Sequence, residues 1–329
     1  MMLNSTMKKT FRAALAIVCA GTLMAGGGAF GPPGPQVGRG TVACGSTSSS
    51  GGDKVALLVS TLNNPFFVDL RDGAQAAAKD LGVDLMVSDA QNDSSTQQNQ
   101  AQNAQSQGAK AVIINPVDSD AASPAVAPLL SSNLPVISVD RSVTGEDVTS
   151  HIASDNVAGG AQAADELAKA VGEKGKVIIL QGTPGAASTR DRGDGFKKEI
   201  KKYSGIEVVA EQTANFDRAE ALDVTTNLMQ SNPDVVGIYA ENDEMALGAI
   251  QSLGSKAGVD VKIFGFDGTE DGLKAVSNGT MVGTIAQQPK ELGKKAVEAA
   301  VKAIKGESVE KTESIEVKTV TKGNVADFQ

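Results

Sequence analysis

Short apolar runs rich in valine and isoleucine recur along the chain. They lie near 54–60, 84–88, 111–115 and 136–140, then near 176–180, 206–211, 235–240, 261–265 and 282–286. None alternates polar with apolar residues, so each predicts a strand buried on both faces, as in a parallel sheet. Segments with apolar residues at helical spacing fill the gaps, at 66–81, 157–171, 190–203, 217–230, 243–254 and 289–305. Pro65 stands where the first of these begins and Gly82 where it ends, both usual helix punctuation. Segment 95–108, dominated by Gln, Asn and Ala, predicts an exposed covering helix. Regular alternation of strand and helix predicts an α/β fold with right-handed crossovers.

The two halves of the pattern echo each other. KVALLVSTLNNPFF parallels KVIILQGTPGAAST, VIINPVDSDAA parallels GIYAENDEMALGA, and VISVDRS parallels KIFGFDGTEDG. Each pairing sets a polar residue just after a strand, which predicts two similar domains, each presenting a ligand-facing edge. Open parallel α/β sheets bind ligands beyond the carboxyl ends of their strands. Eleven polar, charged and aromatic residues occupy such positions: Asn64, Phe66, Phe67, Asn115, Asp140 and Arg141 in the first half, and Arg190, Phe216, Asn242, Asp267 and Gln287 in the second. Flat rings can stack on the C–H faces of a small polyol. Asp accepts from its hydroxyls, Arg donates to them, and Asn and Gln do both.

Most of these residues also have a plainer role open to them. Asn64, Asn242 and Asp267 suit helix caps, and Phe216 with Asp217 suits a staple and cap. Asp140 and Arg141 could form a solvated ion pair. Adjacent Phe66 and Phe67 would point about 100° apart on a helix, so that one packs inward while the other faces a cleft. Arg190 and Arg192 flank Asp191 at a helix start, where the macrodipole disfavours a cation. Single positions decide nothing; the regular placement of all eleven points to a site.

Composition narrows the choice. With 329 residues the chain is long enough for two domains. Aromatics are only 3% of it, so the core must be aliphatic, and three of nine phenylalanines fall among the eleven positions. A formal net charge of −9, with no basic cluster, argues against nucleic acid as a partner. A basic stretch from Met7 to Arg12 and an apolar one from Ala13 to Ala25 read as a secretion signal, for which Met7 is the better start. Thr41-Val42-Ala43-Cys44, followed by GSTSSSGG, is similar to the cleavage box of bacterial lipoproteins, with Cys44 the lipidated residue and a Gly/Ser tether behind it. Cys19 lies within the signal, which leaves no internal disulfide. One histidine, His151, without a cysteine partner gives metal coordination little support and reads as a structural loop residue. No strand end shows G-x-G-x-x-G and no G-x-x-x-x-G-K-[ST] occurs, so a nicotinamide-dependent dehydrogenase is disfavoured. A sugar-responsive repressor would need a helix-turn-helix where this chain carries its secretion signal.

With these residues assembled, the chain from Lys54 to about Lys318 resembles the ribose/galactose family of type I periplasmic binding proteins, and within it the D-ribose-binding components of bacterial ABC transport systems. The segments STLNNPFF (60–67), INPVDSD (114–120), VDRS (139–142), SHIASDN (150–156), RDRGDGF (190–196), NFDR (215–218), NDEMALGA (242–249) and GFDGTEDG (265–272) carry the likeness. It implies two Rossmann-like lobes joined by three hinge crossings, near Ser154-Asp155, Gln287 and Glu316. One lobe would comprise 54–154 with 288–315 and the other 155–287 with 316–329, after a 1–43 signal and a 44–53 tether. It further implies that Phe66, Phe67 and Phe216 sandwich a sugar ring. Asn64, Asn115, Asp140, Arg141, Arg190, Asn242, Asp267 and Gln287 would bond its hydroxyls. The implied role is a monomeric, non-enzymatic carrier without cofactor or metal, anchored outside the cell membrane or free in the periplasm. It would hand D-ribose or another monosaccharide (allose, galactose, a sugar alcohol) to a membrane permease, with a chemoreceptor as a further partner.

Overall fold

The computed structural model describes residues 52–329; the predicted signal, Cys44 and most of the tether lie outside them. Two six-stranded sheets form the frame. The first has the order β2-β1-β3-β4-β5-β11, with β1 Lys54–Val59, β2 Asp84–Asp89, β3 Ala111–Ile114, β4 Val136–Val139, β5 Ser150–Ser154 and β11 Thr312–Ile315. The second has the order β7-β6-β8-β9-β10-β12, with β6 Lys174–Gln181, β7 Gly205–Thr213, β8 Val235–Ala240, β9 Lys262–Asp267, β10 Gly283–Ala286 and β12 Lys318–Thr321. The sequence echoes fall on equivalent strands: β1 with β6, β3 with β8, β4 with β9. In both sheets the strand order reverses between the first strand and the one after its crossover, which opens a crevice at the strand ends.

Helices cover both faces of each sheet. In the first, α1 (Pro65–Leu81) and α9 (Pro289–Ile304) lie on one face, and α2 (Ser94–Ser106) and α3 (Ser123–Ser131) on the other. Successive residues of β1 divide between them: Leu57 joins the cluster with Leu70 and Leu292, Leu58 the one with Ala101 and Val126. In the second, α4 (Asn156–Ala170) and α5 (Ala187–Ile200) face α6 (Arg218–Ser231), α7 (Asp243–Leu253) and α8 (Glu270–Asn278) across the sheet. Both surfaces of every central strand are therefore covered by apolar side chains, which is why these runs show no polar alternation.

Strand β12 is antiparallel to β10, so the second sheet is mixed rather than wholly parallel. The cause is geometric. Residues 312–321 leave β11, which is parallel within the first sheet, and enter the second sheet as β12, antiparallel to its neighbour β10. Strand β5, helices α3 and α8, and the pair β11 and β12 lie outside the apolar runs and helical periods of the sequence. The α3 segment SPAVAPLLS carries an internal Pro128, β5 alternates in burial, and the last two strands are short, with exposed polar residues. His151 lies on β5, not in a loop, with Nδ1 2.8 Å from Ser138 Oγ and its pKa lowered by burial. Three segments pass from one sheet to the other: at Asp155 between β5 and α4, at Gln287-Gln288 between β10 and α9, and at Glu316-Val317 between β11 and β12.

Candidate functional site

Strand ends from both sheets converge on a narrow chamber, with a cavity volume of about 20 Å³, lined by Asn64, Phe66, Phe67, Asp140, Arg141, Ser188, Arg192, Phe216, Asn242 and Asp267. On the first-sheet side, Asn64 caps α1, its Oδ1 accepting from Phe66 N at 2.9 Å, and Pro65 opens the helix. That start sets Phe66 and Phe67 edge to face, with centroids 5.1 Å apart and planes at 85°. The guanidinium of Arg141 lies 5.4 Å from the Phe67 ring centroid and 5.6 Å from that of Phe216, bridging the two halves. Its Nη1 donates to the carbonyls of Pro116 (3.1 Å) and Val117 (3.2 Å), which fixes its direction.

Asn115 and Gln287 stand one layer behind the chamber wall. Buried Asn115 donates from Nδ2 to Asp140 Oδ2 (3.1 Å) and Val139 O (3.2 Å), and accepts from Ser60 N (3.2 Å). Its side-chain groups thus hold Asp140 and the ends of three strands. Gln287 donates to Asp267 Oδ1 at 2.7 Å. The supposedly exposed helix α2 also reaches this layer, because Gln97 is 3% exposed. It donates to Asn115 O and accepts from Val117 N, both at 2.9 Å.

From the second sheet come Phe216, Asn242, Asp267, Ser188 and Arg192. Asn242 caps α7 through Oδ1 (2.9 Å to Met245 N), while its Nδ2 donates to Phe216 O (3.4 Å). Cap and wall roles coexist because the amide presents two different ends. Phe216 sits at φ 59°, Asp140 at 65° and Asp267 at 121°, a conformation L-residues rarely adopt. Strain of this kind collects at sites where packing over-determines a side-chain direction. Gly182 makes room for one of these rings, since a Cβ there would overlap Phe216.

Three of the eleven predicted residues, Asn115, Gln287 and Arg190, do not line the chamber. Arg190 lies outside the chamber, exposed, with Nη1 3.1 Å from Asp120 Oδ2. Arg192, 3% exposed, takes the inner position. Its Nε donates to Asn156 Oδ1 (2.8 Å) and Nη1 to Glu241 O (2.7 Å). Nη1 also lies 3.6 Å from Asp267 Oδ1, and the guanidinium stacks 3.9 Å from the Phe266 centroid. Helical phase explains the exchange. Ser188, Arg192, Phe196 and Ile200 recur every four residues on the buried face of α5, whereas Arg190 is turned away. Once packing has shown Phe196 to be buried, counting back in fours from it reaches both Arg192 and Ser188.

Burial shapes the electrostatics. It pushes the Asp267 carboxyl well above its usual range, against the pull of Arg192, and lowers the Arg141 guanidinium against the pull of Asp140. Asp243, just behind the wall, is pushed up to about 6 by burial although Thr269 and Thr284 donate to it. Glu241, with no exposed surface, is pushed up to about 8. Around the chamber Asp140 Oδ1, Arg141 Nε and Gln287 Oε1 are buried without a hydrogen-bond partner. Orphaned groups of this kind are rare in folded proteins and mark where a polar molecule would complete the network.

Two doubly wound lobes that close a polar, ring-lined chamber between their strand ends define a class of proteins that enclose small molecules. The chain belongs to the family described as periplasmic binding protein domain, whose model matches residues 55–308. It is 47% identical to the ribose import binding protein of Escherichia coli over 84% of this chain and 93% of that protein. Among solved structures it resembles the Caulobacter myo-inositol binding protein bound to myo-inositol (TM-score 0.80, 35% identity, 83% of this chain and 95% of the other). It also resembles a solute-binding protein of Actinobacillus succinogenes with bound D-allose (TM-score 0.79, 33% identity, 84% and 99%).

Proposed function

We propose that this protein captures D-ribose between its lobes and delivers it to the membrane permease of an ABC importer. The supporting observation is the pairing of aromatic rings from both lobes with buried polar atoms still lacking partners. A pyranose placed between Phe66 and Phe67 on one side and Phe216 on the other would bury its C–H faces. Its hydroxyls would then meet Asn64, Asp140 and Arg141 from one lobe, and Arg192, Asn242 and Asp267 from the other. Asn115 and Gln287 would act indirectly, by aiming Asp140 and Asp267. Hydrogen bonds to charged groups are worth about 1.5–3 kcal/mol each when water is excluded. A few in excess of the costs reach micromolar affinity, roughly −8 kcal/mol.

The lobes are assigned as 54–154 with 288–315 and 155–287 with 316–329, hinged at the three crossings between the sheets. Contacts made only when both half-sites meet would select the closed form. Export, lipidation at Cys44, a monomeric state and recognition by a chemoreceptor complete the reading. Metabolic fatty-acid labelling, lost in Cys44→Ala, tests the anchor.

The myo-inositol and D-allose complexes of related proteins favour a second reading in which another polyol is the ligand. Isothermal titration of the purified protein with D-ribose, D-allose, D-galactose, xylitol and myo-inositol separates the two. Ribose should bind tightest, in the micromolar range or below. Tighter binding of any other member would replace ribose, and binding of none would refute the sugar reading.

A further inference from the structure

Beyond the chamber, two loops from opposite lobes touch each other directly. One follows β3 (residues 116–120); the other leads into α5 (residues 183–190). Ser119 N donates to Gly185 O at 3.0 Å, and Ala187 N donates to Ser119 Oγ at 3.1 Å in a buried position. Arg190 reaches across to Asp120 with Nη1 at 3.1 Å and Nη2 at 3.4 Å. Each partner is braced within its own lobe: Asp120 accepts from Thr144 Oγ1 at 2.8 Å, and Arg190 Nη1 donates to Gly185 O at 3.2 Å. Gly185, at φ 86°, lies so close to Asp118 that a Cβ would overlap its carboxylate. None of Ser119, Asp120, Gly185, Ala187 or Arg190 lines the chamber.

We infer that Ser119 and Asp120 with Gly185, Ala187 and Arg190 form an interlobe latch that sets the open–closed balance independently of which sugar is held. The inference rests on the reading of the chamber as a site that closes over its ligand. Opening breaks all of these bonds together and returns their groups to water, so the latch weights the closed form alone. A bias that touches no ligand atom changes the affinity of every ligand by the same factor. Arg190 is then a positioning residue, coupled to binding through closure.

The test uses Arg190→Ala, Asp120→Ala, their double variant and Ser119→Ala, titrated with D-ribose and D-allose. Ligand-free protein is followed in parallel by small-angle X-ray scattering. Each single ion-pair variant should weaken both sugars by the same factor, roughly twofold to fivefold, as expected of an exposed pair. The double variant should be no weaker than the worse single one. Ser119→Ala, which leaves the buried Ala187 N–H unpaired only on closure, should cost roughly tenfold or more. In ligand-free scattering the variants should show a larger radius of gyration than the parent. Because the sugars are uncharged, raising salt should weaken the parent but not Arg190→Ala. Unequal factors for the two sugars would make Arg190 a direct ligand contact and overturn the latch, as would unchanged affinity with unchanged scattering. If the parent binds neither sugar, the sugar reading fails, and the scattering and its salt dependence alone decide the latch.

Discussion

Glu241 offers the sharpest test of the electrostatics beneath the chamber. Its side chain has no exposed surface, accepts one hydrogen bond from Gly182 N at 2.8 Å, and keeps Oε1 without a partner. Burial pushes its pKa from 4.5 up to about 8, against the opposing pulls of the Gly182 N–H, Arg192 and Lys197. A folded-state value above the unfolded one means that the folded protein binds the extra proton between about pH 4.5 and pH 8. Stability contributed by this group is therefore complete below pH 4.5 and lost as pH rises through about 8. The loss is about 1.4 kcal/mol for each pH unit inside the window, on the order of 5 kcal/mol in all.

Glu241→Gln keeps the size and the acceptor for Gly182 N but removes the titration. Thermal unfolding of both proteins from pH 5 to pH 9 measures the difference. At pH 5 the melting temperatures should agree within a degree or two. By pH 8 the variant should melt higher by on the order of 10 °C, at about 2–4 °C per kcal/mol for a protein of this size. Parallel curves across the range would mean that Glu241 is not held protonated, and the account of this buried layer would be wrong.

Two further substitutions probe the chamber itself. Arg192→Met removes a buried cation from Asp267, Asn156 and the Glu241 carbonyl. It should cost on the order of 3–5 kcal/mol of stability in urea denaturation and about 100-fold or more in sugar affinity; a loss as small as that expected of Arg190→Ala would exclude Arg192 from the wall. Phe216→Ala takes away one stacking face and should weaken binding by on the order of 1–3 kcal/mol in titration calorimetry while melting shifts little. Unchanged affinity would place the sugar elsewhere.

Much of the frame was legible because buried parallel strands announce themselves as unbroken apolar runs. All nine such runs became strands, and the three internal echoes fell on equivalent positions of the two sheets. Elements held mainly by their neighbours were not legible. Strands β11 and β12 are four residues each and owe their place to β5 and β10. The polar helix α2 looked wholly exposed, yet Gln97 is buried because a loop needed both ends of one amide. In the same way the capping role and the wall role of Asn242 could not be separated by inspection, since the structure uses both.

What the linear pattern decided alone is the alternating α/β architecture and the ring of strand ends where chemistry gathers, because apolar run length and helical period are local properties. Choosing between Arg190 and Arg192 required tertiary structure. Two residues along a helix is about half a turn, and only the packing of α5 against α4 and the sheet says which half faces inward. The same packing turned the outward arginine toward Asp120, a residue 70 positions away whose proximity no local pattern encodes.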